Sequence, residues 1–388
     1  MKILIAHNRY RSSQPSGENR IVDSEIQLLR DAGHRVVPLI EESDELASSL
    51  VASANAAVGA VRSPRGIRRL KRLISDERPD VLHLHNAYPL ISPWIVRDAK
   101  AAGIPVVQTV HNYRHTCVAG MHLRDGLICE DCVGRRIPFP AVQHGCYRSS
   151  RPQSAAMVVG QVVHRSTWRL VDHFLVASPH MQARLESTGV SASRISWRPT
   201  YAEDAGVLQQ PDRGPVLFVG RLEKAKGIQL LLDAWTPLVA GRWGQLVIAG
   251  DGPLAGQVAA RAGGDDSIAW AGSLDGDGVR ALMRKARLVA IPSLWFEGFP
   301  RVAAEAMSVG RPMMFWEGAG VSRVTQSGVG WSLPDDPVLW SEKLLNIGPG
   351  DLSQAAIAAR DFYDSHCSPE VAVQQLESVY ETVCGASI

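Results

Sequence analysis

Twice over, short apolar runs alternate with amphipathic stretches, and no other property of this 388-residue chain limits its fold so tightly. Ile3 to Ala6, then Ile21 to Ala32 with apolar residues at helical spacing, then Arg35 to Leu39 read as strand, helix, strand. Helices between short apolar strands predict a parallel sheet. The pattern runs on through Asp80 to His85, a helix from Trp94 to Ala102 stopped by Gly103, and the runs Pro105–Val110 and Phe174–Ser178. Five such strands predict a doubly wound domain. A second alternation has strands at Val216–Val219, Leu246–Ala249, Ile268–Trp270, Leu288–Ile291 and Pro312–Trp316. Helices are expected between them at Gln229–Val239, Gly278–Ala286 and Arg301–Val309. The fold class is α/β.

Turn-forming and polar residues at Tyr201 to Gly206 and Pro211 to Pro215 mark a linker, so the expected domains are 1–200 and 201–365. A last helix, Glu370 to Val383, follows the capping pair Ser368-Pro369; residues 366–388 are expected to pack back toward the first domain.

Forty-one basic and 39 acidic residues leave a net charge of +2, which gives no global reason to expect nucleic acid as partner. The apolar start of the chain is too short for a signal peptide, and no stretch approaches the ~20 apolar residues of a membrane span. A cytoplasmic protein is expected.

The segment Pro292 to Pro312 carries the chemistry most plainly. Ile291 ends a strand, Glu297-Gly298-Phe299 forms a turn, and Pro300 is placed to open a helix whose amides and dipole suit a phosphate. Glu305, more than a turn inside, can face the same ligand as Glu297. On spacing alone, two surface glutamates flanking a strand–helix junction is the competing reading. Val219 to Gly227 follows another strand and places Arg221 and Lys226 at a strand's carboxyl end, where open α/β sheets bind ligands. Singly, each is an ordinary solvated cation. Gly250 and Gly252 form a glycine turn after a third strand, and His111 ends a strand of the first domain. His83 and His85 alternate on a strand and are read as structural, with His85 or Asn86 lining an acceptor cleft as the other reading.

These segments resemble the GT4 family of retaining glycosyltransferases: the E-x7-E pair Glu297 and Glu305, the G-R-L-x-x-x-K-G pattern of Gly220 to Gly227, Ala249 to Leu254, Ser16-Gly17-Glu18, and the T-x-H segment ending in His111. The resemblance spans nearly the whole chain and is weakest at 113–153, where the periodicity fails and a cysteine-rich insertion into the first domain is expected. It implies the GT-B fold, two Rossmann-like domains facing across a cleft, and transfer of a sugar from a nucleotide-diphosphate sugar to an acceptor hydroxyl. The acceptor is expected in polysaccharide, lipid-linked oligosaccharide or other glycoconjugate assembly. By the same resemblance Glu297 holds the donor sugar's hydroxyls, Glu305 the ribose, Arg221 and Lys226 the diphosphate, and His111 the sugar near its reacting carbon. Gly17, Gly250, Gly252, Gly298, Phe299 and Pro300 would line the donor. One glycine, Gly17, stands where many relatives carry a pair. A nucleotide-sugar epimerase or another enzyme of this fold is the alternative, and a non-catalytic nucleotide-sugar-binding scaffold the second.

Asp275-Gly276-Asp277 spells the D-x-D of metal-dependent glycosyltransferases, but it precedes a helix and reads as an N-cap, so catalysis is expected without a metal. Cys117, Cys129, Cys132 and Cys146 are spaced C-x11-C-x2-C-x13-C, and several GT4 relatives show a similar pattern. Structural zinc, free thiols and a redox disulfide are the open readings. Arg62, Arg65, Arg68, Arg69, Lys71 and Arg72 crowd one face of an expected helix. A solvated face is one reading; peripheral contact of 62–74 with anionic lipid is the other.

Overall fold

The computed structural model describes residues 1–10, 17–44, 59, 61–206, 211 and 213–385. Ser16 and Asp212 lie outside them. The chain divides into two compact units, one of Met1–Arg124, Cys129–Arg198 and the stretch from Val373, the other of Asp125–Ile128 and Pro199–Ala372.

The first unit holds β1 (Lys2–Arg9), β2 (Arg35–Glu42), β3 (Val81–Leu84), β4 (Val106–Val110), β7 (His173–Val176) and β8 (Ile195–Trp197); between β4 and β7 in sequence come the two-residue strands β5 (Leu123–Arg124) and β6 (Leu127–Ile128), the latter within the stretch assigned to the second unit. The sheet order is β2-β1-β3-β4-β7-β8, parallel throughout. Expecting five strands was one short. β8 has only three residues, two of them half-buried, too brief to show a periodicity. Helix Gly17–Asp31 lays Val22, Ile26 and Leu29 on the sheet beside Ile3, Ile5 and Val81. Leu376, Val379, Tyr380 and Val383 of helix Pro369–Gly385 complete that core. Ser368 caps this helix, its Oγ accepting from the Val371 amide at 3.3 Å.

The second unit contains β9 (Val216–Val219), β10 (Leu246–Ala249), β11 (Ile268–Gly272), β12 (Leu288–Ile291), β13 (Met313–Trp316) and β14 (Gly330–Leu333), in the parallel order β11-β10-β9-β12-β13-β14. This is the dinucleotide-fold order, and its topological switch falls between β9 and β12. The single helix expected over Gln229–Val239 is two, Ile228–Ala234 and Pro237–Trp243, because Pro237 cannot continue the first and Thr236 caps the second. The stretch expected as a linker is packed: Tyr201 and Ala202 are buried, the Tyr363 hydroxyl donates to the Ala202 carbonyl at 2.8 Å, and Arg360 pairs with Asp204 at 2.7 Å.

Candidate functional site

Loops leaving β9, β10, β11 and β12 are sewn together by main-chain bonds. The Gly220 amide donates to Ala249, that of Leu222 to Asp251, that of Gly250 to Gly272 and that of Leu294 to Ala225, at 2.7–3.0 Å. The approach is so close that side chains are excluded. A Cβ on Gly227 (φ +68°) would lie 1.9 Å from the Pro292 carbonyl oxygen, and one on Gly250 (φ +150°) 1.8 Å from that of Gly220. Gly252 is limited in the same way by Leu222.

On this frame Lys226, from the loop after β9, forms an ion pair with Glu297, from the loop after β12. The two strands are those that part at the switch, so the carboxyl-end crevice of the fold is where the pair stands. Glu297 is 4% exposed. Its Oε1 meets the ammonium, whereas its buried Oε2 has no hydrogen-bond partner among the described residues. Trp295 lies beneath the same ammonium, 5.6 Å from nitrogen to ring centroid. Burial draws the Lys226 pKa down to about 8; Glu223 opposes this and Arg221 adds to it. The touching carboxylate favours the charged form.

Arg221 is exposed and pairs with Glu223 at 3.2 Å, not with Glu297. Glu305, on helix Arg301–Ser308, pairs one turn back with Arg301 at 2.8 Å. Of the two acids and two bases expected together, Lys226 and Glu297 are in direct contact. Pro300 is the cap of that helix, not its first turn, and Phe299 and Pro300 are both buried; Gly298 is half-buried beside them. Asp275 caps helix Gly276–Lys285, accepting from the Gly278 amide at 2.8 Å, and Asp277 pairs with Arg280.

In the first unit a buried polar chain runs beneath β1, β3 and β4. Arg198 Nη1 donates to Glu25 Oε2 at 2.7 Å. Glu25 Oε1 lies 3.2 Å from His85 Nε2 and 3.3 Å from His83 Nδ1, and His85 Nδ1 lies 2.9 Å from His111 Nε2. His83 is also held by Tyr380 and Thr109, at 2.7 and 2.8 Å. Burial alone would raise the Glu25 pKa, but Arg198 and the neighbouring histidines together outweigh it and hold the carboxyl well below its usual range. Burial keeps His83 and His111 neutral. Arg198 is the guanidinium paired directly with the Glu25 carboxylate. Among the described residues, Glu25, His83 and His85 bring three candidate metal-ligand atoms within 4.8 Å of one another. The guanidinium already supplies their positive charge, and both His83 nitrogens are engaged.

His111 thus sits at the end of a relay that runs through His85 to Glu25 and Arg198, and these last two sequence reasoning did not single out. His85, Asn86, His111, Asn112 and Arg114 line a pocket within the first unit. Gly17 begins helix Gly17–Asp31, is exposed, and has nothing within 4 Å of where a Cβ would be.

Of the basic segment, helix Pro64–Glu77 buries Ile67 and Leu70. Arg65 and Arg69 pair with Glu41, Lys71 with Asp98, and Arg62 lies 5.1 Å over Trp94. Among the described residues no helix is long and apolar enough to cross a membrane.

Comparison with known proteins matches residues 16–200 to the family model for the glycosyl transferase 4-like domain and residues 213–347 to that for glycosyl transferases group 1. An uncharacterized glycosyltransferase, MJ1607 of Methanocaldococcus jannaschii, is 30% identical over 148 residues, 37% of this chain and 38% of that protein. The amylovoran biosynthesis glycosyltransferase AmsK of Erwinia amylovora is 28% identical over 226 residues, 55% of this chain and 54% of its own. The chain therefore spans about half or less of the length of these relatives. Among solved structures, Anabaena HepE in complex with UDP superposes with a TM-score of 0.68 at 16% identity, covering 98% of this chain and 100% of that one. HepE has also been solved with UDP-glucose. With two parallel α/β sheets, one of them carrying an acid–base pair at its switch point, the chain belongs to the glycosyltransferases of GT-B fold, with a 4-like domain at 16–200 and a group 1 domain at 213–347.

Proposed function

We propose that the chain transfers a sugar from a nucleotide-diphosphate sugar to an acceptor hydroxyl with retention of anomeric configuration and without a catalytic metal, as a GT4 enzyme of the E-x7-E kind. The observation that carries this reading is the buried Glu297 carboxylate, one oxygen on Lys226 and the other unpartnered, at the switch between β9 and β12. An orphaned buried carboxylate oxygen costs about 1–3 kcal/mol, and a donor hydroxyl satisfies it.

In this mechanism Lys226 and Arg221 neutralise the diphosphate as the glycosidic bond breaks, and the amides around Gly298, Phe299 and Pro300 at the start of helix Arg301–Ser308 add to that field. Gly250 and Gly252 keep main chain free to approach the nucleotide, Gly17 does so from the first unit, and Glu305 accepts from the ribose. His111, held by His85 and Glu25, orients the sugar at its reacting carbon. The acceptor attacks on the face the diphosphate leaves, and the departing phosphate takes the acceptor's proton. Both carboxylates of the D-x-D are occupied by a helix cap and an arginine, which supports a metal-free clamp.

An acceptor in polysaccharide, lipid-linked oligosaccharide or other glycoconjugate assembly is in keeping with relatives such as AmsK of amylovoran biosynthesis, and a cytoplasmic address fits a nucleotide-sugar donor. Peripheral lipid contact through 62–74 rests on Arg68 and Arg72, both exposed, since Arg62, Arg65, Arg69 and Lys71 have partners within the protein.

The test is a thermal-shift panel of nucleotide sugars, followed by transfer assays in chelator with the donor that binds. Retained α-linked product formed in chelator is expected from an α-linked donor. No stabilising donor, an absolute requirement for a divalent ion, or donor isomerisation without acceptor would each overturn the reading.

A further inference from the structure

Cys117, Cys129, Cys132 and Cys146 come from three separate stretches of the first unit: a turn after Tyr113, a knuckle after the hairpin, and the end of the short helix Pro140–Gln143. All four nonetheless line one cavity of about 20 Å³, a volume fit for one small body. All four are free thiols. Main-chain bonds fix the residues that carry them. The Cys117 amide donates to Tyr113 at 2.7 Å, that of Cys129 to His122 at 2.8 Å and that of Cys146 to Ala141 at 3.0 Å.

The stretch has a small buried core of Tyr113, Val118 and Ala141, and it is tied to the rest of the first unit by the Glu130–Arg184 pair and by Gln161, which donates to the Arg114 carbonyl at 2.9 Å. Its regular structure is a hairpin of two-residue strands and a four-residue helix. Ile137 and Phe139 are 60% and 56% exposed, so much of its apolar surface is not buried in a core. His122, Asp125, Arg148 and Ser149 adopt left-handed backbone, which costs about 1–2 kcal/mol each. A segment with so small a core needs a staple of another kind.

We propose that this cavity is a structural zinc site, with Cys117, Cys129, Cys132 and Cys146 as its four thiolate ligands, fastening residues 113–150 to the first unit. Four sulfurs are a closed structural set for zinc, and a C-x2-C turn supplies two ligands from one loop. A dication suits four such thiols: each sulfur bonds the metal as its proton passes to solvent. Arg124 and Asp131, paired at 2.7 Å on the cavity wall, neutralise one another beside the sulfurs.

The thiols ring the cavity more widely than ligands on a bound ion. Among the described residues only the Glu25 group draws three candidate atoms within 4.8 Å, whereas sulfurs at the usual zinc distance lie ~3.8 Å apart. Zinc draws them inward by side-chain rotation, and Cys132 gives up its 3.9 Å contact with the Pro138 carbonyl.

The test uses the full chain purified without chelator under reducing conditions. Metal analysis is expected to find about one zinc per chain, released by a mercurial thiol reagent and replaceable by cobalt with the intense visible bands of tetrahedral thiolate ligation. Cys129→Ser and Cys146→Ser should each lower zinc content at least tenfold, while Cys384→Ser leaves it unchanged. Should these variants fail to fold, the native chain decides. Stripping its zinc should expose 113–150 to protease while the second unit keeps its nucleotide-sugar shift. Substoichiometric zinc with thiols freely reactive at full rate, iron in place of zinc, or a mass four hydrogens low from two disulfides overturns the assignment.

Discussion

The Lys226 ammonium is ion-paired with the Glu297 carboxylate across 71 positions of sequence. Each stands in the loop after one of the two strands that diverge at the switch of the second unit, so neither can move without disturbing the other's charge.

Their separate losses should differ in kind. Lys226→Ala removes the half-buried cation proposed to face the diphosphate and should lower kcat/KM on the order of 10²–10³-fold, with loss of nucleoside-diphosphate affinity. Glu297→Gln should cost a similar factor in turnover but leave free nucleotide binding within a few fold. Steady-state kinetics beside calorimetric titration with the nucleotide separates them, and equal loss of nucleotide affinity in both would refute the assigned roles.

Glycine substitutions offer a test of the frame itself. At Gly227 the left-handed backbone and the 1.9 Å approach to Pro292 both exclude a side chain, so Gly227→Ala should destabilise by about 3 kcal/mol or more. Gly256 lies in helix Ala255–Gly263 with nothing within 4 Å of its would-be Cβ, so Gly256→Ala should stabilise by about 0.5–1 kcal/mol. Urea unfolding followed by fluorescence reads both.

The charge pair Glu25–Arg198 is buried on both sides. Arg198→Met should strand the carboxylate and cost about 3–5 kcal/mol, and adding Glu25→Gln should recover part of the loss. A double-mutant cycle on melting of the first unit measures the coupling; a strictly additive result would deny it.

Acidification should weaken the same unit. Burial holds His7 at about 3 and His115 at about 4, and keeps His83 and His111 well below 6.5. In the unfolded chain histidines titrate near ~6.5. Below that value the unfolded state binds protons the folded state refuses, so stability is full above it and declines as the pH falls, by up to about 1.4 kcal/mol per pH unit for each such histidine. Denaturant midpoints across this range should show the slope, and His83→Gln should make it shallower.

Much of this was legible in the residues. Apolar runs such as Ile3–Ala6 and Leu246–Ala249 are buried on both faces of a parallel sheet and can be read from composition alone. Two of the four edge strands were not: β8 has only three residues, and β14, with three half-buried residues and one exposed, carries Gly330 pressed against Met313, where no apolar run can form. The Thr236-Pro237 break was a readable signal that the helical periodicity on either side obscured. Glu25 had its own signal, for it shares the buried face of its helix with Val22, Ile26 and Leu29. Its partner lies 173 positions away, and no local pattern links the two. The pairing of Lys226 with Glu297 could be expected from strand ends, whereas the pairings of Arg221 with Glu223 and of Glu305 with Arg301 depend on loop and helix geometry that motif spacing does not encode.

Helix Pro369–Gly385 begins in one unit and supplies core residues to the other. During synthesis the first unit to start is thus the last to be finished: until residues 373–385 leave the ribosome, His83 lacks its Tyr380 hydroxyl and the floor of the β1–β3 sheet lies open to water. A nascent chain carrying only residues 1–200 is, in this sense, an unsealed vessel, and chaperone occupancy should be greatest there.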